Sequence, residues 1–166
     1  MSIKDGMVNI PVSKQLLRDK GIDYRVLGAI LLDTEGVKLT QDVFDNYMYL
    51  QYEEFCDKYN LSKRLTKKRL KELKEIIPET IESLDYQIAV VPSSLLYKLL
   101  PSHKNITVKL ACLVLHILRD NNSGKYVPKY IANDELLEYL GCTEPVLHLY
   151  VSILNETGLF EALPKE

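Results

Sequence analysis

The chain concentrates its basic side chains in one short segment, SKRLTKKRLKELKEII at 62–77, which carries seven Lys or Arg and two Glu. A step of about 100° per residue, as in an α-helix, places Thr66, Leu70 and Leu73 on one side and most of the cations on the other. The spacing predicts a helix over 63–77 that packs by its apolar stripe and presents a cationic face to solvent. Because Lys and Arg bind phosphates and the acceptor atoms of guanine, this face is predicted to bind a polyanion.

The place of each side chain in this segment predicts its role. The first turns of a helix in the major groove face base edges, so Arg64, Lys67 and Lys68 are expected to read bases. The residues expected at phosphates are Lys63, Lys71, Lys74 and Ser62, the last through its hydroxyl or the amides of the helix N-terminus. Thr66 completes the predicted nucleic-acid-binding set. The alternative is a solvated face whose Lys and Glu pair for solubility, but seven cations exceed what two acids can pair.

The rest of the composition is that of an ordinary globular protein. The chain has 166 residues, is 46% hydrophobic and 27% charged, and carries a net charge of −2 at pH 7. This slight acidity argues against a protein that coats nucleic acid indiscriminately. The sequence shows neither the apolar core of a signal peptide nor an apolar run of the roughly 20 residues that a membrane span needs. We therefore expect a cytoplasmic protein that does not enter a membrane.

No residue pattern predicts catalysis. The three His are dispersed, and no Cys or His lies at metal-ligand spacing. The dinucleotide, P-loop, nucleophile-elbow and metalloprotease patterns are absent from the sequence. Cys56, Cys112 and Cys142 are expected to be buried, reduced thiols. We expect no enzymatic activity, no metal and no small-molecule cofactor.

The same order of elements occurs twice, at a constant offset of 81 residues. Asn60 and Gly141 belong to the residue types that most readily adopt a left-handed backbone, and Ser62 and Thr143 to those that cap helix N-termini. Each copy therefore predicts a helix, a left-handed turn residue, an N-cap and a second helix, which is a helix-turn-helix. The matched pairs include Phe55 with Leu136, Asn60 with Gly141, Ser62 with Thr143, Leu70 with Val151, and Leu73 with Leu154.

Short extended segments are expected around each helix pair. Aromatic stretches precede the pairs, at 48–52 and 125–130, and an alternating pattern at 81–91 and the segment at 158–160 follow them. The tyrosines at 47, 49 and 52 could touch a sugar-phosphate backbone, although half-buried strand positions are the commoner role. The predicted fold is mainly α with short β wings, as two tandem winged helix-turn-helix domains at 1–84 and 85–166, with a boundary zone that follows Pro78.

The second copy differs from the first in charge. Residues 134–160 contain no Lys or Arg and several acids, so phosphate would be repelled. Apolar side chains also wrap more than half of its last helix, which is typical of a helix that buries a second face. The partner could be the first domain or a second copy, and a homodimer is favoured. The predicted dimerisation residues are Leu147, Tyr150, Val151 and Leu154.

The first copy resembles a known family. The order IPVSKQLL, DYRVLGAILLD and YLQYEEFCDKYNLSKRLTKKRLKELKE is similar to the N-terminal winged-helix domain of RepA-type plasmid replication initiators and related phage DNA-binding regulators of Gram-positive bacteria. The likeness covers about 70 residues. It implies a winged helix whose Ser-capped, Lys-rich recognition helix binds DNA, and tandem winged helices occur among plasmid initiators.

The function expected from these features is sequence-specific binding of double-stranded DNA through the helix at 63–77, with a role in transcription, replication or segregation of a mobile element. A homodimer would place two recognition helices on a palindromic site. The alternative is an interaction adaptor whose basic helix docks an acidic protein.

Overall fold

The computed structural model describes residues 6–35, 37–102 and 104–158. Most of them lie in helices, and two short strands form one antiparallel sheet. The elements are β1 (Met7–Val12), α1 (Lys14–Arg18), α2 (Tyr24–Thr34), α3 (Gln41–Tyr49), α4 (Tyr52–Tyr59), α5 (Thr66–Ser83), β2 (Gln87–Pro92), α6 (Ser93–Leu99), α7 (Asn105–Leu118), α8 (Asn133–Leu140) and α9 (Glu144–Glu156). The predicted mainly helical class with short β segments is confirmed.

The sheet pairs the two copies of the repeat with each other. Asn9 of β1 lies opposite Val90 of β2, and these residues are 81 positions apart, which is the offset of the repeat. The strands therefore meet about a local two-fold axis, because each strand contributes the same positions to the ladder. Ile10, Val12 and Ala89 point into a core that both copies share.

The two apolar helices α2 and α7 form the centre of this core and contact each other and the sheet. Both present buried side chains around most of their circumference. A helix that is apolar on all sides is typical of the interior of a protein. Asn105, at the start of α7, accepts a hydrogen bond from the Tyr24 amide at 2.7 Å and donates one to the Ile22 carbonyl at 3.0 Å. Its side chain thus accepts from one of the amides at the buried N-terminus of α2 that have no partner within the helix.

The short helices α1 and α6 reach across to the opposite copy. Arg18 of α1 donates through Nε to the carbonyl of Glu138 in α8 at 2.7 Å. On the other side, the ring of Tyr97 in α6 stacks on Tyr59 of α4, with centroids 6.2 Å apart. These contacts and the sheet cross the predicted division near residue 84.

Several predicted strands lie elsewhere or are helical. The stretch at 48–52 belongs to α3, a bend and the start of α4, and α5 continues through Pro78 to Ser83 instead of giving way to extended chain at 81. The helix ends because Leu84 is left-handed, with a φ of 58°. The strand that follows is β2, which pairs with β1 and not with a strand beside the front helices.

In the second copy, the aromatic stretch at 125–130 contributes one isolated bridge, between Arg119 and Tyr126. The extended segment predicted at 158–160 lies outside the described residues except for Gly158, which is in a turn. Within the described ranges, no helix combines the length and the hydrophobicity needed to cross a membrane.

Candidate nucleic-acid interface

The turns that separate the paired helices have the predicted backbone. Asn60 ends α4 with a φ of 54°, and Gly141 ends α8 with a φ of 65°. Both lie in the left-handed region, which confirms the prediction made from the residue types. At Gly141 the space is restricted as well, because an added Cβ would lie 2.9 Å from Cγ of Arg18. The contact between α1 and α8 therefore depends on a glycine at this position.

Helix α5 begins later than predicted. Its first residue is Thr66, and residues 63–65 form a turn ahead of it. Ser62 is not the N-cap, although its carbonyl accepts from the Thr66 amide at 2.9 Å and its hydroxyl accepts from the Leu65 amide at 3.4 Å. Lys63 and Arg64 consequently project from the turn, before the helix proper.

Tyr52 secures this turn through its hydroxyl, a role that the sequence analysis missed. The hydroxyl donates to the carbonyl of Lys63 and accepts from the amide of Lys67 at 3.0 Å. The Lys67 amide is one of the first amides of α5, which have no partner within the helix. Tyr52 thus satisfies an amide in the first turn of α5, as Ser62 does for the Leu65 amide in the turn ahead of it. Its position at the start of α4 ties that helix to the start of α5. No local sequence pattern indicates this role, because the contact joins residues on either side of a turn whose shape the sequence does not specify.

The apolar side of α5 is buried as predicted. Leu70, Leu73 and Ile77 are fully buried, and the helix packs chiefly against α3 and also on α2. Thr66 is only 3% exposed. Its prediction as a nucleic-acid contact is wrong, because the side chain belongs to the stripe that faces the core.

Some of the predicted cations are already paired. Lys63 lies 3.1 Å from a carboxylate oxygen of Asp57, and Lys74 lies 2.7 Å from one of Asp45 in α3. A hydrogen bond from each ammonium to its carboxylate raises the pKa of both lysines. Arg69 pairs with Glu72 at 3.1 Å along the helix. These ion pairs hold charge that would otherwise face a ligand.

Four cations form the surface that we call the cationic face: Arg64, Lys67, Lys68 and Lys71. All four are exposed and make no ion pair with any residue in the described ranges. The Nζ of Lys67 lies over the ring of Tyr52, 4.9 Å from its centroid, and 5.9 Å from that of Tyr49. Tyr49 is 71% exposed, so an aromatic ring and a cation stand side by side at this edge.

A polar cluster around Asp33 positions the helices behind the cationic face. Its carboxylate accepts from the hydroxyl of Tyr47 at 2.6 Å, the hydroxyl of Tyr59 at 3.0 Å and the ammonium of Lys58 at 3.0 Å. Partial burial acts to raise the pKa of Asp33, but these three hydrogen bonds outweigh it and hold the pKa below its usual value. Tyr47 is on α3 and Tyr59 on α4, so both helices are fixed to α2. Tyr47 is thus a buried helical residue and not a strand tyrosine.

The rear helix pair differs from the predicted dimer surface. Leu147 is 1% and Leu154 is 2% exposed, because both pack into the core of their own chain. The prediction of an exposed dimerisation surface is wrong at both positions for that reason, although Leu154 still lines an open groove. Tyr150 and Val151 are half-buried, and Leu149 is exposed on the same helix.

No protein-family model, curated protein or solved structure matches this chain. The resemblance to plasmid replication initiators therefore stays a prediction. Among the described residues, no group of three or more His, Cys, Asp or Glu is placed to hold a metal ion.

Proposed function

We propose that this chain is a sequence-specific double-stranded DNA-binding protein that places the start of α5 in a major groove and regulates transcription, replication or segregation of a mobile element. The observation that carries the proposal is the cationic face, where Arg64, Lys67, Lys68 and Lys71 are exposed and without an ion pair among the described residues. Four such charges on one short surface are an electrostatic footprint for phosphate.

The position of these cations along the helix supports major-groove binding. Arg64 lies just before α5 and Lys67 and Lys68 in its first turn, which is where recognition helices contact base edges. Lys71 lies one turn further and would meet a phosphate. We further propose that the two helix pairs are winged helix-turn-helix units whose wing strands pair with each other as β1 and β2.

A second candidate is an adaptor that docks an acidic protein. It is favoured by three exposed apolar side chains beside the same cations, Tyr49, Leu50 and Leu65. Apolar groups rimmed by charge are typical of protein interfaces. The predicted homodimer also stays a proposal, no longer on Leu147 and Leu154, and the mass of the chain in solution tests it.

The test is the salt dependence of binding to duplex DNA, after selection of a preferred site from a random-sequence pool. If the cationic face neutralises about four phosphates, the logarithm of the association constant should fall against that of the salt concentration with a slope of about −3.6. The double substitution Lys67→Glu with Lys68→Glu should abolish site preference. Its matched control is Lys38→Glu with Lys125→Glu, which makes the same charge change at exposed lysines elsewhere.

Failure of both DNA binding and selection would contradict the proposal. Tight capture of an acidic protein that depends on Lys67 and Lys68, with no salt-dependent DNA binding, would favour the adaptor. Retention of site preference in the Lys67→Glu, Lys68→Glu protein would show that the cationic face does not read DNA, provided that its unfolding transition is unchanged.

A further inference from the structure

The rear half contains an open apolar groove that the proposed function does not use. It has a volume of about 440 Å³ and lies between α7, the connector at 126–131, α8 and α9. We call it the rear groove, and its floor includes Val114, Leu136, Val151 and Leu154, with Asn155 and Tyr130 at its rim. Tyr130 is 90% exposed. A nearly bare aromatic ring at the edge of an apolar groove is a feature of binding sites.

The internal repeat shows what occupies the corresponding place in the front half. At an offset of 81, Val114 corresponds to Asp33, Leu136 to Phe55 and Asn155 to Lys74. In the front half, these three residues are the partners of one helix, α3. Tyr47 of α3 bonds Asp33 and packs on Phe55 with centroids 4.8 Å apart, and Asp45 of α3 pairs with Lys74.

The described part of the rear half has no counterpart of α3. The connector between α7 and α8 contains no helix among its described residues, 119–132. Tyr126 fills part of the space, since it is 2% exposed and its hydroxyl donates to the Val90 carbonyl, but the rear groove stays open beside it. The rear groove therefore corresponds to the part of the surface under α3 that the rear connector leaves uncovered.

Differences between the surface under α3 and the rear groove predict which side chains an occupant of the groove would carry. The carboxylate that accepts from Tyr47 in the front is replaced in the rear by Val114, and Tyr59 by Leu140. An occupant with a buried hydroxyl at this point would lose its hydrogen bonds, so Phe, Leu or Met is preferred. The buried residues of α3 are Phe44, Tyr47 and Met48, which predicts apolar side chains at i, i+3 and i+4.

Charge around the rear groove points to a basic occupant. Residues 134–158 carry no Lys or Arg, and Glu156 lines the cleft that adjoins the groove along α9. Asp134 and Glu135 follow Asn133, which lines both cavities. Among the described residues that line the groove itself, Lys129 on the connector is the one charged side chain, so these acids border the groove and do not lie in it. The acidic residues of α3, Asp42 and Asp45, would thus be unfavourable here, and Lys or Arg would replace them.

We propose that the rear groove binds a basic amphipathic helix of a partner protein, with bulky apolar residues at i, i+3 and i+4. A second copy of the chain is disfavoured, because its own α3 is held on α2 by Tyr47 and Asp33 and on α5 by Asp45 and Lys74. This binding site is independent of the proposed DNA binding, which would use the front copy of the repeat.

The probe is a peptide of this chain's own residues 39–51 that carries Asp42→Lys, Asp45→Lys and Tyr47→Phe. Its binding to the full chain is followed by NMR of Ile, Leu and Val methyl groups, and shifts are expected at Val114, Val151 and Leu154. The unsubstituted peptide is the comparison. It should bind about five- to ten-fold more weakly, because it brings two acids and a hydroxyl to an apolar groove that is bordered by the acids of α8 and α9.

Two pairs of variants locate the site. Tyr130→Ala should weaken the probe about three- to ten-fold, whereas Tyr49→Ala, an exposed tyrosine of the front half, should leave it unchanged. Asn155→Lys restores the charge of Lys74, so it should weaken the lysine-bearing probe and strengthen the unsubstituted peptide, each about two- to three-fold. Leu149→Lys adds the same charge to an exposed position of α9 outside the groove and should change neither.

Four outcomes would overturn the proposal. Probe shifts that map to the front half, or an affinity indifferent to Tyr130→Ala and Asn155→Lys, would place binding elsewhere. Dimerisation of the chain alone that shifts the groove methyl groups would make a second copy the occupant. Tighter probe binding after removal of residues 159–166 would make the chain's own terminus the occupant. Loss of DNA binding in the Lys67→Glu, Lys68→Glu protein bears on none of these results.

Discussion

Lys109 shows how a single side chain joins the two halves. It lies on α7, is 3% exposed, and donates through Nζ to the carbonyl of Asp19 at 2.9 Å. Its ammonium also lies 5.8 Å from the ring centre of Tyr24. Burial lowers the pKa of Lys109 to about 8, although the charges of Asp19 and Asp23 act against this effect. The ammonium of Lys109 therefore lies between α7 and the front half with little water around it, which disfavours its charged form.

This residue predicts a pH dependence of stability. The folded-state pKa lies below the unfolded value of about 10.4, so the unfolded chain binds more protons above pH 8 and the contribution of Lys109 to the free energy of unfolding rises with pH. Between pH 8 and pH 9.5 this gain is about 1.5 kcal/mol. The stability difference between the native chain and Lys109→Met should shift toward the native chain by that amount, as measured by urea unfolding.

The comparison of the two proteins removes the effect of other groups. Burial raises the pKa of the Cys112 thiol to about 12 and that of Cys56 in the same direction, which lowers the stability of both proteins as pH rises. This effect cancels in the difference. If the difference in the free energy of unfolding stays constant from pH 8 to pH 9.5, the pKa of Lys109 is not lowered and the prediction is contradicted.

At the scale of elements, the orientation of α5 depends on α3 and α4, which the Asp33 cluster fixes to α2. Asp33→Asn removes the charge that Lys58 pairs with and one of the oxygens that accept from Tyr47 and Tyr59. We expect a loss of about 1–3 kcal/mol in the free energy of unfolding at pH 7, because buried donors lose their acceptor. Urea unfolding measures it, and Asp85→Asn, at an exposed Asp outside the cluster, is the control.

The direction of the Asp33 pKa shift gives the same prediction a second readout. Because the folded-state pKa is lowered, the stabilisation is present above the unfolded value of about 3.9 and is lost as pH falls through the folded value. The native chain and Asp33→Asn should therefore approach each other in stability toward pH 3. A gap of the same size at pH 7 and pH 3 would mean that the carboxylate charge does not act.

What could be predicted from the sequence is what local chemistry decides. Asn60 and Gly141 end their helices because their residue types tolerate a left-handed backbone, and the buried stripe of α5 follows from helical spacing. The sequence predicts a strand at 48–52 because its aromatic residues favour strands locally. In the structure these residues end α3 and begin α4, and the preceding Tyr47 holds α3 to α2 through its hydrogen bond to Asp33. The role of Tyr52 and the pairing of β2 with β1 depend on contacts between distant residues, and no local pattern indicates them.

At the scale of the whole molecule, the shared sheet predicts that the two halves lose structure together. Ile10 of β1 is fully buried, so Ile10→Ala should cost about 2–4 kcal/mol. Amide hydrogen exchange should then accelerate in both α4 and α8, since β1 belongs to the ladder that both copies build. The exposed substitution Leu149→Ala should change neither. Faster exchange confined to α4 would contradict this coupling and would indicate separate domains.

The pairing of Asn9 with Val90 has a consequence for the ancestry of the chain. A polypeptide with one copy of the repeat would expose the edge of its only strand, and exposed strand edges pair with those of other chains. The smallest closed form of this unit is then a pair of chains with identical surfaces. Fusion into one polypeptide lifts that identity, so the two members can differ in charge, as the seven Lys or Arg at 62–77 and the absence of Lys and Arg at 134–158 illustrate.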